Sequence, residues 1–477
     1  MNDLAINLEI HSSTPLYEQI YKYIKQEIQS GGLPFGERLP STRKLAKYLQ
    51  ISRTTVDMAY EQLVSEGYIE ALPYKGYFVC DLEGLYHLMP AKNPVKKTEE
   101  VSKEPYTYDF SPNGVDLDSF PQNTWRRLSK NILQEENRLL FQLGDPQGEY
   151  EFRVTLAQYL HQARGVEASP EQLVIGAGND FLLLLLCSLF GTGQHIAMES
   201  PTYKKAYELF RNLSNEISIV EMDESGMRID QLAQTDARIA YVMPSHQFPL
   251  GTVMPVKRRM QLLEWAAGDG DRYIIEDDYD SEFRYKGRPI PALQGYDRKD
   301  RVIYIGTFSK SIAPAIRVSY MVLPKRLAEL YEKRGRAISC TVSRVDQMLI
   351  CAFLNEGYYE RHLNKMRAVY KGRHDVLLEE LRPLRGICRI SGEHAGVHIL
   401  LSFTNGMQEE EAVRLAAKRG VKVYGLSGYF VGTEGMRRED TVILGYAKLT
   451  EDDIRNAVAR LKAAWTVQEE SKISADL

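Results

Sequence analysis

The sequence lacks any apolar stretch able to cross a bilayer. Its longest uncharged apolar run, Phe181 to Phe190, stops at ten residues, about half of what a membrane-spanning helix needs. Cysteine is scarce: Cys80, Cys187, Cys340, Cys351 and Cys388 are odd in number, scattered, and without the paired spacing of metal ligands. That pattern points to a reduced, intracellular protein. The first residues, Met1-Asn2-Asp3-Leu4-Ala5, lack the basic-then-apolar pattern of a secretory signal. The expected location is therefore the cytoplasm, with no membrane partner. Charge imbalance is small as well, −4 in 477 residues. It neither demands nor excludes nucleic acid, because a short basic stripe can sit inside a neutral whole. There are no internal repeats. What remains, 44% hydrophobic and 26% charged residues, is ordinary for globular protein, and the length predicts more than one domain.

Residues 1–80 read as one compact module. Thr14-Pro15 predicts a capped helix start, Leu16, Ile20, Ile24 and Ile28 keep one apolar face, and Gly31-Gly32 ends it. A second short helix is expected from a cap near Ser41 through Leu49, and a third from Ser52-Arg53 to Gly67. Tyr68 to Ala71 and Gly76 to Val79 predict two strands around Pro73-Tyr74-Lys75. The module carries eight Lys/Arg against nine Asp/Glu, yet Arg38 to Arg53 holds five basic residues and no acid. Helix, helix-turn-helix and wing together resemble the GntR-type winged-helix domain over essentially its full length. The resemblance implies that the third helix enters the major groove of double-stranded operator DNA. Arg53 would then read guanine, with Ser52, Thr54 and Thr55 on phosphates or thymine methyls, and Arg43, Lys75 and Gly76 as phosphate or minor-groove contacts. The alternative at this level is a protein-binding winged helix with solvated faces.

Residues 81–107, with Pro90 and Pro94 among lysines and glutamates and no period, predict a flexible linker. Beyond it three stretches carry chemistry. Arg301 to Gly306 predicts a buried strand that runs into Thr307-Phe308-Ser309-Lys310-Ser311 and, seven residues past the lysine, Arg317. A lysine past a strand end, fenced by small hydroxyls and followed by arginine, suits a Schiff base with pyridoxal phosphate, although a solvated lysine has the same local pattern. Tyr273-Ile274-Ile275 runs into Glu276-Asp277-Asp278-Tyr279-Asp280. Crowded carboxylates need a cation, and a protonated pyridine nitrogen, a metal ion or plain solvent would each answer. Leu173 to Asn179 reads as strand, glycines, then helix, the geometry that cradles a phosphate.

In that order the three stretches resemble the large domain of fold-type I pyridoxal-phosphate enzymes, the aspartate aminotransferase class, over roughly residues 107–465. Segments with strand and helix patterns alternate along this part, implying a mostly parallel sheet covered on both faces. The expected fold is thus multidomain: an N-terminal α+β winged helix-turn-helix, and an α/β aminotransferase-like domain at 108–470. A smaller subdomain is expected at about 360–470, and a polar tail at 471–477.

The combination resembles the MocR/GabR-type subgroup of GntR transcription regulators. The resemblance implies a homodimer, head-to-tail, that binds DNA and senses an amine or amino acid, or pyridoxal 5'-phosphate itself, without being an enzyme. It further implies that Lys310 forms the internal aldimine, Asp277 pairs with the pyridine nitrogen and Tyr279 bonds the phenolic oxygen, with His246 or Gln247 assisting. Tyr203 would stack on the ring, and Gly178, Asn179, Thr307, Ser309 and Arg317 would hold the phosphate. No metal is expected. The arginine with which aminotransferases grip a substrate carboxylate has no clean counterpart, leaving Lys205, Arg437 and Arg438 as effector candidates. Two alternatives stay open: a true aminotransferase with an attached DNA module, and a DNA-binding protein whose second domain is only a dimerisation scaffold.

Overall fold

The computed structural model describes residues 6–9, 12–81, 106–268, 271–285, 290–432 and 438–466. Nearly all of the expected linker, the expected tail and Arg437 lie outside them. The chain divides into two compact units, Met1–Lys103 and Glu104–Leu477.

The first unit is built on three helices, α1 (Leu16–Gln29), α2 (Thr42–Leu49) and α3 (Arg53–Ser65), followed by β1 (Ile69–Leu72) and β2 (Gly76–Val79). α1 starts one residue after Pro15, which takes the cap position without a side-chain bond. Thr14 offers its carbonyl to Gln19 Nε2 instead, at 2.8 Å. Ile20, Ile24 and Ile28 pack with Leu45, Val56, Tyr60 and Leu63 into one core. Each such side chain contributes about 1.5–3 kcal/mol on full burial. Glu37 to Leu39 adds an edge to the hairpin that the pattern did not predict. The Leu39 N–H donates to the Tyr77 carbonyl at 2.9 Å and the Val79 N–H to the Glu37 carbonyl at 3.0 Å.

The second unit carries α4 (Gln122–Ile132), α5 (Tyr150–Arg164), α6 (Asn179–Phe190) and α7 (Lys204–Asn212). Its strands begin with β3 (Tyr108–Asp109), β4 (Leu173–Gly176), β5 (His195–Ser200), β6 (Glu216–Asp223), β7 (Gly226–Met227) and β8 (Ile239–Val242). They continue with β9 (Tyr273–Asp278), β10 (Val302–Thr307) and β11 (Ser319–Val322). Eight strands form one sheet in the order β4-β11-β10-β9-β8-β5-β6-β7. β10, β9, β8, β5 and β6 run parallel, and β11 is antiparallel to both of its neighbours. β9 and β10 are buried at every position, as parallel strands covered on both faces must be. The apolar run Phe181 to Phe190 is α6, whose Leu182, Leu183, Leu185, Leu186 and Leu189 are buried in the core on one side of this sheet.

After the long helix Tyr358–Glu380 come β12 (Cys388–Ser391), β13 (His398–Phe403), β14 (Val421–Lys422), β15 (Tyr424–Gly425) and β16 (Thr441–Gly445). They form a four-stranded antiparallel sheet, β12-β13-β16-β15. β14 pairs instead with β3, parallel. The first strand of the unit thus joins its C-terminal part, which a boundary near residue 360 does not capture. No helix among the described residues is long and apolar enough to cross a membrane.

Candidate functional site

The strand alternation of β9 sorts the acidic cluster. Glu276 and Asp278 face one side of the sheet and Asp277 the other. Glu276 accepts the Leu293 and Gln294 N–H groups at 2.7 and 2.9 Å. Asp278 accepts from Arg164 Nε at 2.9 Å, the Tyr304 hydroxyl at 2.6 Å and the Ser281 hydroxyl at 2.9 Å. Asp280 lies 2.9–3.0 Å from His246 Nδ1. With its neighbours so engaged, Asp277 stands by itself at the edge of a cavity, accepting from Asn179 Nδ2 at 3.0 Å and from the Tyr241 hydroxyl. Burial pushes its carboxyl up to about 6, reinforced by the charge of Asp278 and opposed by the Tyr241 and Asn179 donors. Among the described residues no three His, Cys, Asp or Glu side chains are grouped to hold a metal ion.

Lys310 enters the same cavity from the loop after β10. It is half-buried, and Nζ donates to the Pro112 carbonyl at 3.2 Å and to Asn113 Oδ1 at 3.4 Å. Burial lowers its pKa to about 8, with the negative charge of Asp280 acting in the opposite direction. Thr307 Oγ1 accepts from the Ser309 N–H at 3.1 Å and from the Ser319 hydroxyl at 2.8 Å, which fixes the loop between strand and lysine.

At the third corner, α6 begins at Gly178 with no side-chain cap. Gly178 has φ +94, and a Cβ there would stand 2.1 Å from Arg317 Nη2. Only glycine therefore lets the guanidinium lie against the start of the helix, where it donates to the Ala177 carbonyl at 3.1 Å and meets Asp180 at 3.4 Å. Asn179 Oδ1, buried in this region, has no hydrogen-bond partner among the described residues.

The cavity these groups share, about 140 Å³, is lined by Asn179, Tyr203, Asp277, Tyr279, Thr307, Ser309, Lys310 and Arg317, and by Asn113, Asp180, Lys205, Met243 and Phe248. Two expected helpers stand outside this lining. Gln247 spends its amide on the Pro201 carbonyl, 2.8 Å, and the Leu250 N–H, 3.1 Å. His246 Nδ1 lies 2.9 Å from the Tyr279 hydroxyl as well as beside Asp280, so it sits behind Tyr279 and not in the cavity wall. Arg438 is exposed and not part of the lining. Tyr241, which holds Asp277, and Arg164, which holds Asp278, were missed. No spacing rule marks a strand tyrosine or a helix-end arginine for carboxylates 36 and 114 residues away.

In the first unit, the Ser41 hydroxyl accepts the Lys44 N–H at 3.3 Å and caps α2. Ser52 caps α3 in the same way, taking the Thr55 N–H at 3.2 Å and contacting the Thr54 and Thr55 hydroxyls at 2.7 and 2.8 Å. The Ser52 hydroxyl is therefore occupied by the helix start and not held out for a ligand. Arg53 remains exposed, with Nε 3.4 Å from Asp57 one turn on. Arg43 and Lys75 are exposed too, and Gly76 has φ +106.

Residues 110–461 match the family of aminotransferases of class I and II, and residues 16–79 match the bacterial regulatory proteins of the gntR family. The chain is 41% identical to the uncharacterized HTH-type transcriptional regulator YdeL of Bacillus subtilis, covering 95% of this chain and 97% of that one. It is 31% identical to the probable rhizopine catabolism regulatory protein MocR of Rhizobium meliloti, covering 97% and 96%. Identity to the pyridoxine biosynthesis regulator PdxR of Corynebacterium glutamicum is 30%, covering 97% and 98%. Among solved structures, the multiple substrate aminotransferase of Thermococcus profundus superposes with a TM-score of 0.69 at 26% identity, covering 82% of this chain and 99% of that one.

Proposed function

The chain belongs to the gntR family of bacterial regulatory proteins, in the branch that carries an aminotransferase class I and II domain, and from that premise we propose a transcription regulator that binds double-stranded operator DNA and responds to a small amine or amino acid through pyridoxal 5'-phosphate. One observation carries the reading. The Lys310 amine, the Asp277 carboxyl and the Arg317 guanidinium, which lies against Gly178 at the start of α6, converge on one cavity at the carboxyl ends of parallel strands, where α/β folds bind their ligands.

The residues fit the group. A side chain at residue 178 would fill the place where an anion meets the start of α6 and Arg317, and Asn179, which lines the cavity, holds an oxygen with no partner among the described residues. When bound, pyridoxal phosphate supplies an electrophilic carbon for exchange with amines and a ring that withdraws electrons. Lys310, at about 8, keeps a usable fraction of neutral amine near neutral pH. Asp277 would hold a proton on the ring nitrogen, Tyr279 would donate to the phenolic oxygen and Tyr203 would lie against the ring. Thr307, Ser309 and Arg317 complete the phosphate site, and Lys205 is the described cation best placed for an anionic group of an effector.

The named regulators among the relatives support a regulatory and not a catalytic role. The winged helix at 1–80 reads DNA, the segment 81–107 tethers it, and 108–470 senses and pairs with a second copy. Leu139, Phe141 and Leu143, 59%, 73% and 90% exposed on one stretch of the second unit, supply apolar surface that a homodimer would cover. Borohydride reduction of protein incubated with pyridoxal phosphate, followed by peptide mass mapping, tests the sensor. The adduct is expected on the Lys310 peptide, and an adduct elsewhere overturns the assignment. Sustained turnover with a keto acid acceptor would replace the regulator with an enzyme.

A further inference from the structure

A second cavity of the same unit opens beside Asp278, on the face of β9 away from Asp277. It measures about 220 Å³, and Tyr159, Arg164, Ser281, Glu282, Arg284 and Arg367 are in its lining. None of these six lines the cavity at Lys310. Its walls come from α5, from the segment after β9 and from the long helix Tyr358–Glu380. One of the cations there is already matched. Arg164 gives Nε to Asp278 at 2.9 Å and Nη2 to the Ser245 hydroxyl at 2.8 Å.

Glu282 and Arg367 are not matched in this way. Glu282 Oε2 is buried and has no hydrogen-bond partner among the described residues. Oε1 lies 3.5 Å from the Tyr359 hydroxyl, which gives its proton to the nearer Ser311 hydroxyl at 2.9 Å. Burial, helped by the charge of Asp278, raises the Glu282 carboxyl to about 7. A buried oxygen in this condition is stabilised by whatever brings it a donor. Arg367 is half-buried, and its bonds go to neutral acceptors. Nε donates to the Glu282 carbonyl at 2.8 Å and Nη1 to Asn364 Oδ1 at 2.9 Å. The guanidinium is thus fixed to the backbone of residue 282, while the carboxyl of the same residue lacks a close donor.

An acid and a guanidinium that line one small cavity without bonding each other suit an occupant that carries both charges. We propose that this cavity binds a small zwitterion of the amino-acid type, its ammonium on Glu282 and its carboxylate on Arg367 and Arg284. The volume lies under the roughly 300–1,000 Å³ of pockets for larger ligands, which limits the occupant to a few heavy atoms. The site is distinct from Lys310 and does not depend on the cofactor.

N,N-Dimethylglycine is the probe, because its tertiary ammonium keeps one N–H and cannot condense with an aldehyde. Titrated calorimetrically into the full-length protein, it is expected to bind alike with and without pyridoxal phosphate. Acetate, which lacks the ammonium, should bind about tenfold more weakly, the scale of one hydrogen bond to a charged group. Glu282→Gln removes the charge with little change of shape and should weaken the probe by about the same factor. Ala163→Leu keeps a good helix former in α5 and fills the cavity it lines, so binding should be lost. The two substitutions act on different walls, and one that fails to fold leaves the other to decide. No heat of binding, equal affinity for acetate, or wild-type affinity in either folded variant overturns the proposal. So does a probe displaced when pyridoxal phosphate is added, which would place it in the cavity at Lys310. A protein that takes up no pyridoxal phosphate would sink the sensor reading above and leave this site standing.

Discussion

The two units treat the start of a helix in opposite ways. In the first, Ser41 and Ser52 each fold a hydroxyl back onto the helix they open, and long exposed side chains such as Arg43 and Arg53 are left to meet a ligand. In the second, α6 opens at a glycine without a side-chain cap, and the Arg317 guanidinium stands where a Cβ on that glycine would point. A cap contributes about 1 kcal/mol to its helix, but it occupies the place an anion would take. A helix that approaches a polyanion sideways, with reaching cations, keeps its cap. On the function proposed above, the helix that would receive one phosphate on its end forgoes it. The same contrast governs charge: Arg53 faces Asp57 in solvent, whereas Asp277 is buried and shifted.

The largest test of that division is Lys310→Ala. The reducible adduct should vanish and the response to effector with it, while operator affinity measured by fluorescence anisotropy stays within about twofold, since the groups Lys310 bonds, Pro112 and Asn113, belong to its own unit. A comparable loss of DNA binding would show that the two units do not work apart. Next, Gly178→Ser installs in α6 the cap that α3 possesses. It forces a side chain onto φ +94 and into Arg317, so cofactor affinity should fall by the equivalent of about 1–3 kcal/mol. Unchanged binding by calorimetry would mean that the open helix start has no role.

On the DNA side, Arg53→Ala should lose about 1–3 kcal/mol and relax sequence preference, while Arg43→Ala should weaken all duplexes alike and flatten the salt slope. Two identical profiles would remove the distinction between reading and docking. Asp277 gives the pH dependence. Its carboxyl, raised to about 6 in the fold, contributes stability present below its ordinary range near 4 and lost as pH rises through about 6. Above that pH the carboxylate is free to pair with a protonated ring nitrogen. The Asp277 contribution to cofactor affinity should therefore climb up to about tenfold per pH unit below 6 and level off above it, on top of the rise toward about 8 that the Lys310 amine brings, and Asp277→Asn should remove only the lower of the two. The smallest effect is Ser52→Ala, about 1 kcal/mol of helix stability, read as faster amide exchange in the first turn of α3.

Much of this was legible because it rests on local chemistry. The apolar face Leu16, Ile20, Ile24, Ile28 predicted α1, the serines predicted the starts of α2 and α3, and unbroken apolar runs ending in glycine or carboxylates predicted β4, β9 and β10. Lys310, Asp277 and Gly178 announced themselves because a chemistry-bearing residue just past a strand end is a short-range pattern. The linker and Arg437 fall outside the described residues, so neither expectation meets a structural observation.

By itself, then, the sequence determined which segments become helix and strand, and which lysine, carboxylate and glycine stand at strand ends. Those features depend on period, capping and glycine, which act over a few residues. Only the tertiary structure decided which partner each acidic residue takes: Arg164 for Asp278, backbone N–H groups for Glu276, Tyr241 for Asp277, His246 for Asp280. It alone returned β3 to the C-terminal part of its unit and drew Gln247 out of the cavity. Such pairings span tens to hundreds of residues, and they are settled by which buried polar groups find partners once the sheet has closed.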